Sequence, residues 1–312
     1  MSSDKRSFLG RSWIYSKEMF PVLQYIPYII ALYVCLHFST QALAGNEIIF
    51  DTYGLIGMIS AFFVMLMMRT FDDLKDLEID KDLFPDRATP RNAVFKSDIQ
   101  ILSASSIVIL ITINFLFAPD TLLVFSIVMI YLILTFKWFF AEEFHRKNVF
   151  FTMVTHQPIP YAVTFYLIHM AMASGAEYES FTLTHFWLLL VFSLPVTAWE
   201  VSRKIRAVGM ETNYETFSML FGSRGATMIP FVALIVTGIL AMILGVEIGV
   251  GLSFYIVLSV LMLVMMFFYI RFLVYPTKKH NVLINVTMLY TTLVFINFLV
   301  HIIFVTTFKW ML

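Results

Sequence analysis

Long apolar stretches separated by short polar connections dominate the chain. A helix needs about 20 predominantly apolar residues to cross the hydrocarbon of a bilayer. Nine stretches reach or approach that length: Pro21–Leu43, Tyr53–Met68, Ile99–Phe117, Leu122–Phe136, Val149–Met172, Phe186–Ala198, Ala226–Leu244, Gly251–Leu273 and Val282–Phe308. Those at Leu122 and Phe186 are short as written and are expected to extend into their flanks. The pattern predicts an all-α, polytopic membrane protein of nine transmembrane helices. Residues 1–20 are mixed polar, and no cleavable leader is expected there.

Composition agrees. Of 312 residues 60% are hydrophobic and 13% charged, against about 25% charged in a soluble domain, which excludes an ordinary soluble fold. The 33 Phe and 19 Met demand burial or lipid and exclude disorder. A single cysteine, Cys35, excludes a disulfide scaffold and multi-thiolate metal sites. Lys+Arg and Asp+Glu balance at 21 each, so net charge points to no particular partner; no nucleic-acid partner is expected and no obligate protein partner is evident.

The placement of charge carries more information than its sum. Of the 21 Lys and Arg, 20 fall in the N-terminal segment and in every second connection, and Lys309 alone falls on the other side. Cytoplasmic loops carry the basic excess, so the N-terminus is expected inside and the C-terminus on the opposite side. Two of the basic connections, 69–98 and 199–225, are longer and more polar than the rest. They follow the second and sixth spans, one four-span unit apart. This suggests a single domain over 1–312, built as two parallel four-helix halves plus one helix, with its active site at a shared cytoplasmic mouth.

The first polar block reads Arg69-Thr-Phe-Asp72-Asp73-Leu-Lys-Asp76-Leu-Glu78-Ile-Asp80. In a continued helix Asp72, Asp76 and Asp80 stand one turn apart and share a face. Carboxylates so close repel unless a cation neutralises them, and hard oxygen donors select Mg²⁺ or a similar ion. Mg²⁺ favours one or two carboxylates plus phosphate oxygens, which makes a diphosphate the natural ligand. The alternative is a solvated juxtamembrane helix in which Lys75 and Lys81 pair with the acids. Arg87 and Arg91 in the turn-rich sequel Phe84–Asn92 suit forked recognition of phosphate oxygens.

These residues resemble the UbiA superfamily of intramembrane prenyltransferases. Its first signature is an Asn/Asp-Asp-x-x-Asp-x-x-x-Asp run after the second of nine helices, followed by a turn usually reading Arg-Pro. Asp72, Asp73, Asp76 and Asp80 match all four acid positions, and Arg87-Ala88 stands at the turn. The resemblance implies that Asp72, Asp73, Asp76 and Asp80 hold Mg²⁺ against the diphosphate of an isoprenyl donor. It also points to Lys137, at the inner end of the fourth span, as a residue of the substrate mouth, with Ile133 where the family usually has tyrosine.

The second block departs from the family pattern. Glu200 fits the family glutamate and is a candidate metal ligand, but Lys204 and Ala207 stand where aspartates are usual. Glu200 and Lys204 are spaced to pair along a helix. Arg203, Lys204 and Arg206 either bind diphosphate in place of a second metal or serve only as positive-inside anchors. His156-Gln157-Pro158-Ile-Pro160 brings polar and helix-bending groups to the start of the fifth span, as a satisfied kink or an acceptor contact. Asn114, Asn285 and Asn297 suit interhelical hydrogen bonds. Trp138 and Trp199 are among the aromatics that lie at a depth to attract an allylic cation.

The expected function is transfer of an isoprenyl group from an allylic prenyl diphosphate to a lipophilic or aromatic acceptor within the lipid bilayer. A terpene cyclase on the same fold is the nearest alternative. A transporter would concentrate its ionisable groups near the bilayer midplane, whereas these cluster at one surface; a non-catalytic lipid-binding protein is the third alternative.

Overall fold

The structure, a computed structural model, describes residues 6–45, 47–175, 180–211 and 216–311. Lys5 and residues 212–215 of the second polar connection lie outside them. The order of elements is α1 (Phe8–Glu18), α2 (Val22–Ala44), β1 (Glu47–Phe50), α3 (Thr52–Lys75), α4 (Leu77–Leu83), α5 (Lys96–Phe117), α6 (Leu122–Phe136), α7 (Glu142–Lys147), α8 (Val149–His156), α9 (Ile159–Met172), α10 (Leu183–Ser202), α11 (Phe217–Ile248), α12 (Leu252–Val274), α13 (Leu283–Val305) and β2 (Thr307–Trp310).

Among the described residues eight helical segments are long and apolar enough to cross a membrane. They coincide with eight of the nine expected stretches, and the two short ones extend into their flanks, to Pro119 and to Leu183. The remaining stretch, Val149–Met172, forms two helices, α8 and α9, broken at Gln157-Pro158. Pro158 and Pro160 cannot donate to the helical ladder, although Gln157 between the two helices keeps right-handed helical backbone. The outer faces are apolar: Ile256, Val260, Leu263 and Phe267 of α12 are all exposed at helical spacing. So wide an apolar surface suits contact with lipid. The chain is a multi-pass membrane protein.

Two compact units divide the chain, 1–34 with 51–159 and 35–50 with 160–311. The division does not follow the expected four, four and one. It cuts α2 and falls at the break between α8 and α9. The end of α2 and β1 group with the later helices because β1 pairs in parallel with β2, Glu47 opposite Thr307. Cys35 Sγ also donates to Phe295 O.

In the first unit α3 packs along α5, where Asn114 Nδ2 donates to Ser60 Oγ at 3.1 Å. Tyr33 of α2 is fully buried, and its hydroxyl occupies the space that a side chain at Gly57 of α3 would fill. In the second unit α10 packs along α11 and α12 along α13. Asn297 Nδ2 donates to Phe254 O, and Ser202, Tyr269 and Thr287 join hydroxyls in a fully buried cluster. Asn114 and Asn297 thus tie helices together as expected, whereas Asn285 is exposed.

Glycine permits backbone approach that any Cβ would block. Gly57→Ala is expected to destabilise the protein by about 1–3 kcal/mol, the usual cost of overpacking, read as a lower thermal midpoint in detergent. Gly57→Ala combined with Tyr33→Phe, which removes the obstructing hydroxyl, is expected to recover part of the loss.

Candidate functional site

The acid-rich segment is a helix that bends without losing its hydrogen-bond ladder. Asp76 caps α3 with φ −96° and ψ 5°. Its amide donates to Asp72 O at 3.0 Å, the Asp80 amide to Asp76 O at 2.8 Å, and the Phe84 amide to Asp80 O at 2.9 Å. Asp72, Asp76 and Asp80 therefore follow one another a turn apart across the bend. Their environments differ. Asp72 and Asp76 are exposed, whereas Asp73 and Asp80 are buried.

Both oxygens of Asp73 are engaged: Tyr15 Oη donates to Oδ2 at 2.7 Å, and Arg69 Nη2 lies 2.6 Å from Oδ1. Arg87 Nη1 donates to Asp80 Oδ1 at 2.7 Å, with its guanidinium 4.0 Å above the Phe84 ring. Asp76 reaches open space, yet the surrounding protein and then the charge of Asp80 push its carboxyl above the usual range. Burial, and next the charge of Asp73, push the Tyr15 hydroxyl far above its ordinary value, so it remains a donor.

The turn after α4 is drawn together by its backbone. The amides of Ala93 and Val94 both donate to the carbonyl of buried Ala88, and Asn92 takes the left-handed conformation, φ 61°, that asparagine tolerates. Arg91 leaves the turn to form two bonds with Glu18 of α1. Asp98, in the first turn of α5, accepts from the Phe95 amide and from two nitrogens of Arg11. Helix α1 is therefore tied at three places, to α3, to the turn after α4 and to the start of α5.

The two lysines of the block behave differently. Lys81 pairs with Glu78 on the exposed surface, as a solvated helix would have it. Lys75 turns instead to Thr135 O at 3.0 Å and His156 Nε2 at 3.1 Å, with its ammonium 4.0 Å from the Trp138 ring centroid. Arg146 lies over the same ring. Trp138, Phe139 and Phe140 all have left-handed backbone. His156, expected to mark a kink or to meet an acceptor, stands at the helix break and holds Lys75. Lys137 is exposed at the end of α6, its ammonium over Phe136.

In the second unit Glu200 accepts from Arg203 Nε at 2.6 Å and lies 3.3 Å from Lys204 Nζ. The expected pairing of Glu200 with Lys204 is present, and Arg203 joins it while lying over Trp199. Arg206 Nη1 donates to the carbonyls of Arg203 and Ile205.

No protein-family model and no curated protein matches the chain. Solved structures do. A structure of digeranylgeranylglyceryl phosphate synthase in membranes is 16% identical, with TM-score 0.65 over 94% of this chain and 99% of that one. The apo structure of a UbiA homolog from Aeropyrum pernix K1 is 14% identical, with TM-score 0.64 over 87% of this chain and 98% of that one. The chain has the UbiA-type fold.

Within this UbiA-type fold, no three Asp, Glu, His or Cys side chains among the described residues are grouped closely enough to hold a metal ion between them. The donor chemistry nevertheless suits Mg²⁺ in its usual manner, one or two carboxylates completed by phosphate oxygens. Asp72 and Asp76, exposed and one turn apart, match that requirement. Asp73, Asp80 and Glu200, equally expected as ligands, already hold basic or hydroxyl partners.

Two residues of this cluster were not among the expected site residues. Arg69 had a legible signal, since it stands one turn before Asp73. Tyr15 had none, because 58 positions separate it from Asp73. Arg87→Gln is expected to leave Asp80 buried without its cation and to cost about 1–3 kcal/mol, measured as a fall in thermal midpoint. Asp80→Asn in the same background is expected to restore part of it.

Proposed function

We propose that the protein is a Mg²⁺-dependent intramembrane prenyltransferase, moving an isoprenyl group from an allylic prenyl diphosphate to a lipophilic or aromatic acceptor. The observation that carries this reading is the arrangement at the end of α3. Two exposed carboxylates, Asp72 and Asp76, share that segment with two buried aspartates, Asp73 and Asp80, each of which holds an arginine. The UbiA-type fold supports it.

Asp72 and Asp76 would hold the ion. Bound Mg²⁺ supplies positive charge to the diphosphate as it departs. Arg69 and Arg87 direct N–H groups toward phosphate oxygens, and their pairing with Asp73 and Asp80 removes the need to reorganise during the reaction. The allylic C–O bond breaks, its electron pair leaves with the diphosphate, a bond forms between the allylic carbon and the acceptor, and the acceptor loses a proton. The isoprenyl tail stays in the hydrocarbon while the charged group meets the polar end of α3. We place that end on the cytoplasmic side, a reading that the basic connections support. In the second unit we assign Arg203, Lys204 and Arg206 an anion-binding role of their own.

The test is release of diphosphate by the purified full-length chain from an allylic prenyl diphosphate, with and without Mg²⁺ and acceptor. Asp76→Asn is expected to lower Mg²⁺-dependent release by about 100-fold, the usual loss when a transition-state charge contact is removed, with thermal stability retained. Normal turnover in that variant removes Asp76 from the reaction. Arg203→Ala is expected to raise the donor KM by about tenfold; an unchanged KM returns the second block to membrane topology.

A further inference from the structure

Helix α1 precedes the first span and lies outside the segment that bears the acids, yet it is fastened to that segment, to the turn after it and to the start of α5. Arg11 forms a two-nitrogen contact with Asp98 at the start of α5. Glu18 holds Arg91 of the turn with both oxygens. Tyr15, buried within α1, donates to Asp73, itself buried.

The third tie bears on chemistry. Asp73 uses one oxygen for Tyr15 and the other for Arg69. With both engaged, the carboxylate is held in place, and it pairs with Arg69 through one guanidinium nitrogen. Arg69 Nε is buried and has no hydrogen-bond partner, although about a third of the side chain is exposed (32%). Orphaned buried donors are rare because each costs free energy, and a guanidinium suits paired anionic oxygens. Burial and the charge of Asp73 keep the Tyr15 hydroxyl protonated, so the donor is constant.

We propose that α1 is a working part of the diphosphate site and that Tyr15 is its positioning residue, setting through Asp73 the orientation in which Arg69 receives diphosphate oxygens. This rests on the functional reading above and deepens it. Asp73 then serves as an anchor rather than as a metal ligand.

The experiment is binding of inorganic pyrophosphate with Mg²⁺ to the full-length chain in detergent, followed by calorimetry. The unmodified chain is expected to bind, and Tyr15→Phe to bind about tenfold more weakly, the effect of one hydrogen bond to a charged group. Its thermal midpoint is expected to fall, because Asp73 Oδ2 loses its buried donor, so the comparison that decides is the one in the Arg69→Gln background. In an Arg69→Gln background the same Tyr15→Phe change is expected to add little, since residues acting through one contact are not additive. An unmodified chain that fails to bind pyrophosphate overturns the functional reading and this inference with it. An unmodified chain that binds, with equal binding by Tyr15→Phe or a full tenfold loss persisting in the Arg69→Gln background, overturns the positioning role alone. Should Tyr15→Phe not fold, Arg11→Gln loosens α1 at Asp98 while leaving Tyr15 intact. Weakened pyrophosphate binding then supports the proposal, and unchanged binding overturns it.

Discussion

A carboxylate withdrawn from water must be paired, and that constraint organises the polar end of the first unit. Removing an ion from water costs several kcal/mol after relaxation, and in a chain this apolar few groups can repay it. Asp73 and Asp80 are buried and each takes an arginine from its own segment, Arg69 one turn earlier and Arg87 in the following turn. Asp98 is buried too and takes Arg11 from α1. Once these three pairs form, the end of α3, the turn after α4 and the start of α5 have little freedom. Asp72 and Asp76 are left exposed on a rigid support.

The bend at Asp76 serves the same end. The ladder from Asp72 through Asp80 to Phe84 continues across it, so the acids keep their one-turn spacing while the axis changes direction. Proline acts differently at the other break. Gln157-Pro158 interrupts the helix and leaves His156 at its end, where it accepts Lys75 alongside Thr135 O. Lys75 thereby lies over Trp138. Two of the aromatics that are candidates by depth for an allylic cation already carry protein cations, Lys75 and Arg146 on Trp138 and Arg203 on Trp199.

Much of the fold was legible because the bilayer imposes a length and a polarity on each element. Eight stretches read from hydropathy coincide with long helices, and the ninth carries its own warning in Pro158 and Pro160. The acid spacing was legible for the same reason, since helical periodicity acts over a few residues. Less legible was the division of labour among acids of one type. Asp73 adjoins Asp72 and looks equivalent to it in a motif, but the first is buried against Tyr15 and the second is exposed.

The sequence by itself determined the membrane class, the helical elements and the concentration of basic charge in alternate connections, because these follow from local hydropathy and spacing. Tertiary structure alone decided which carboxylates face outward, which arginines are spoken for, and that α1 reaches the acids at all. Those outcomes depend on contacts such as Tyr15 with Asp73 and Arg91 with Glu18, whose partners are brought together only when the helices pack. No periodicity in the chain encodes a hydrogen bond across 58 residues.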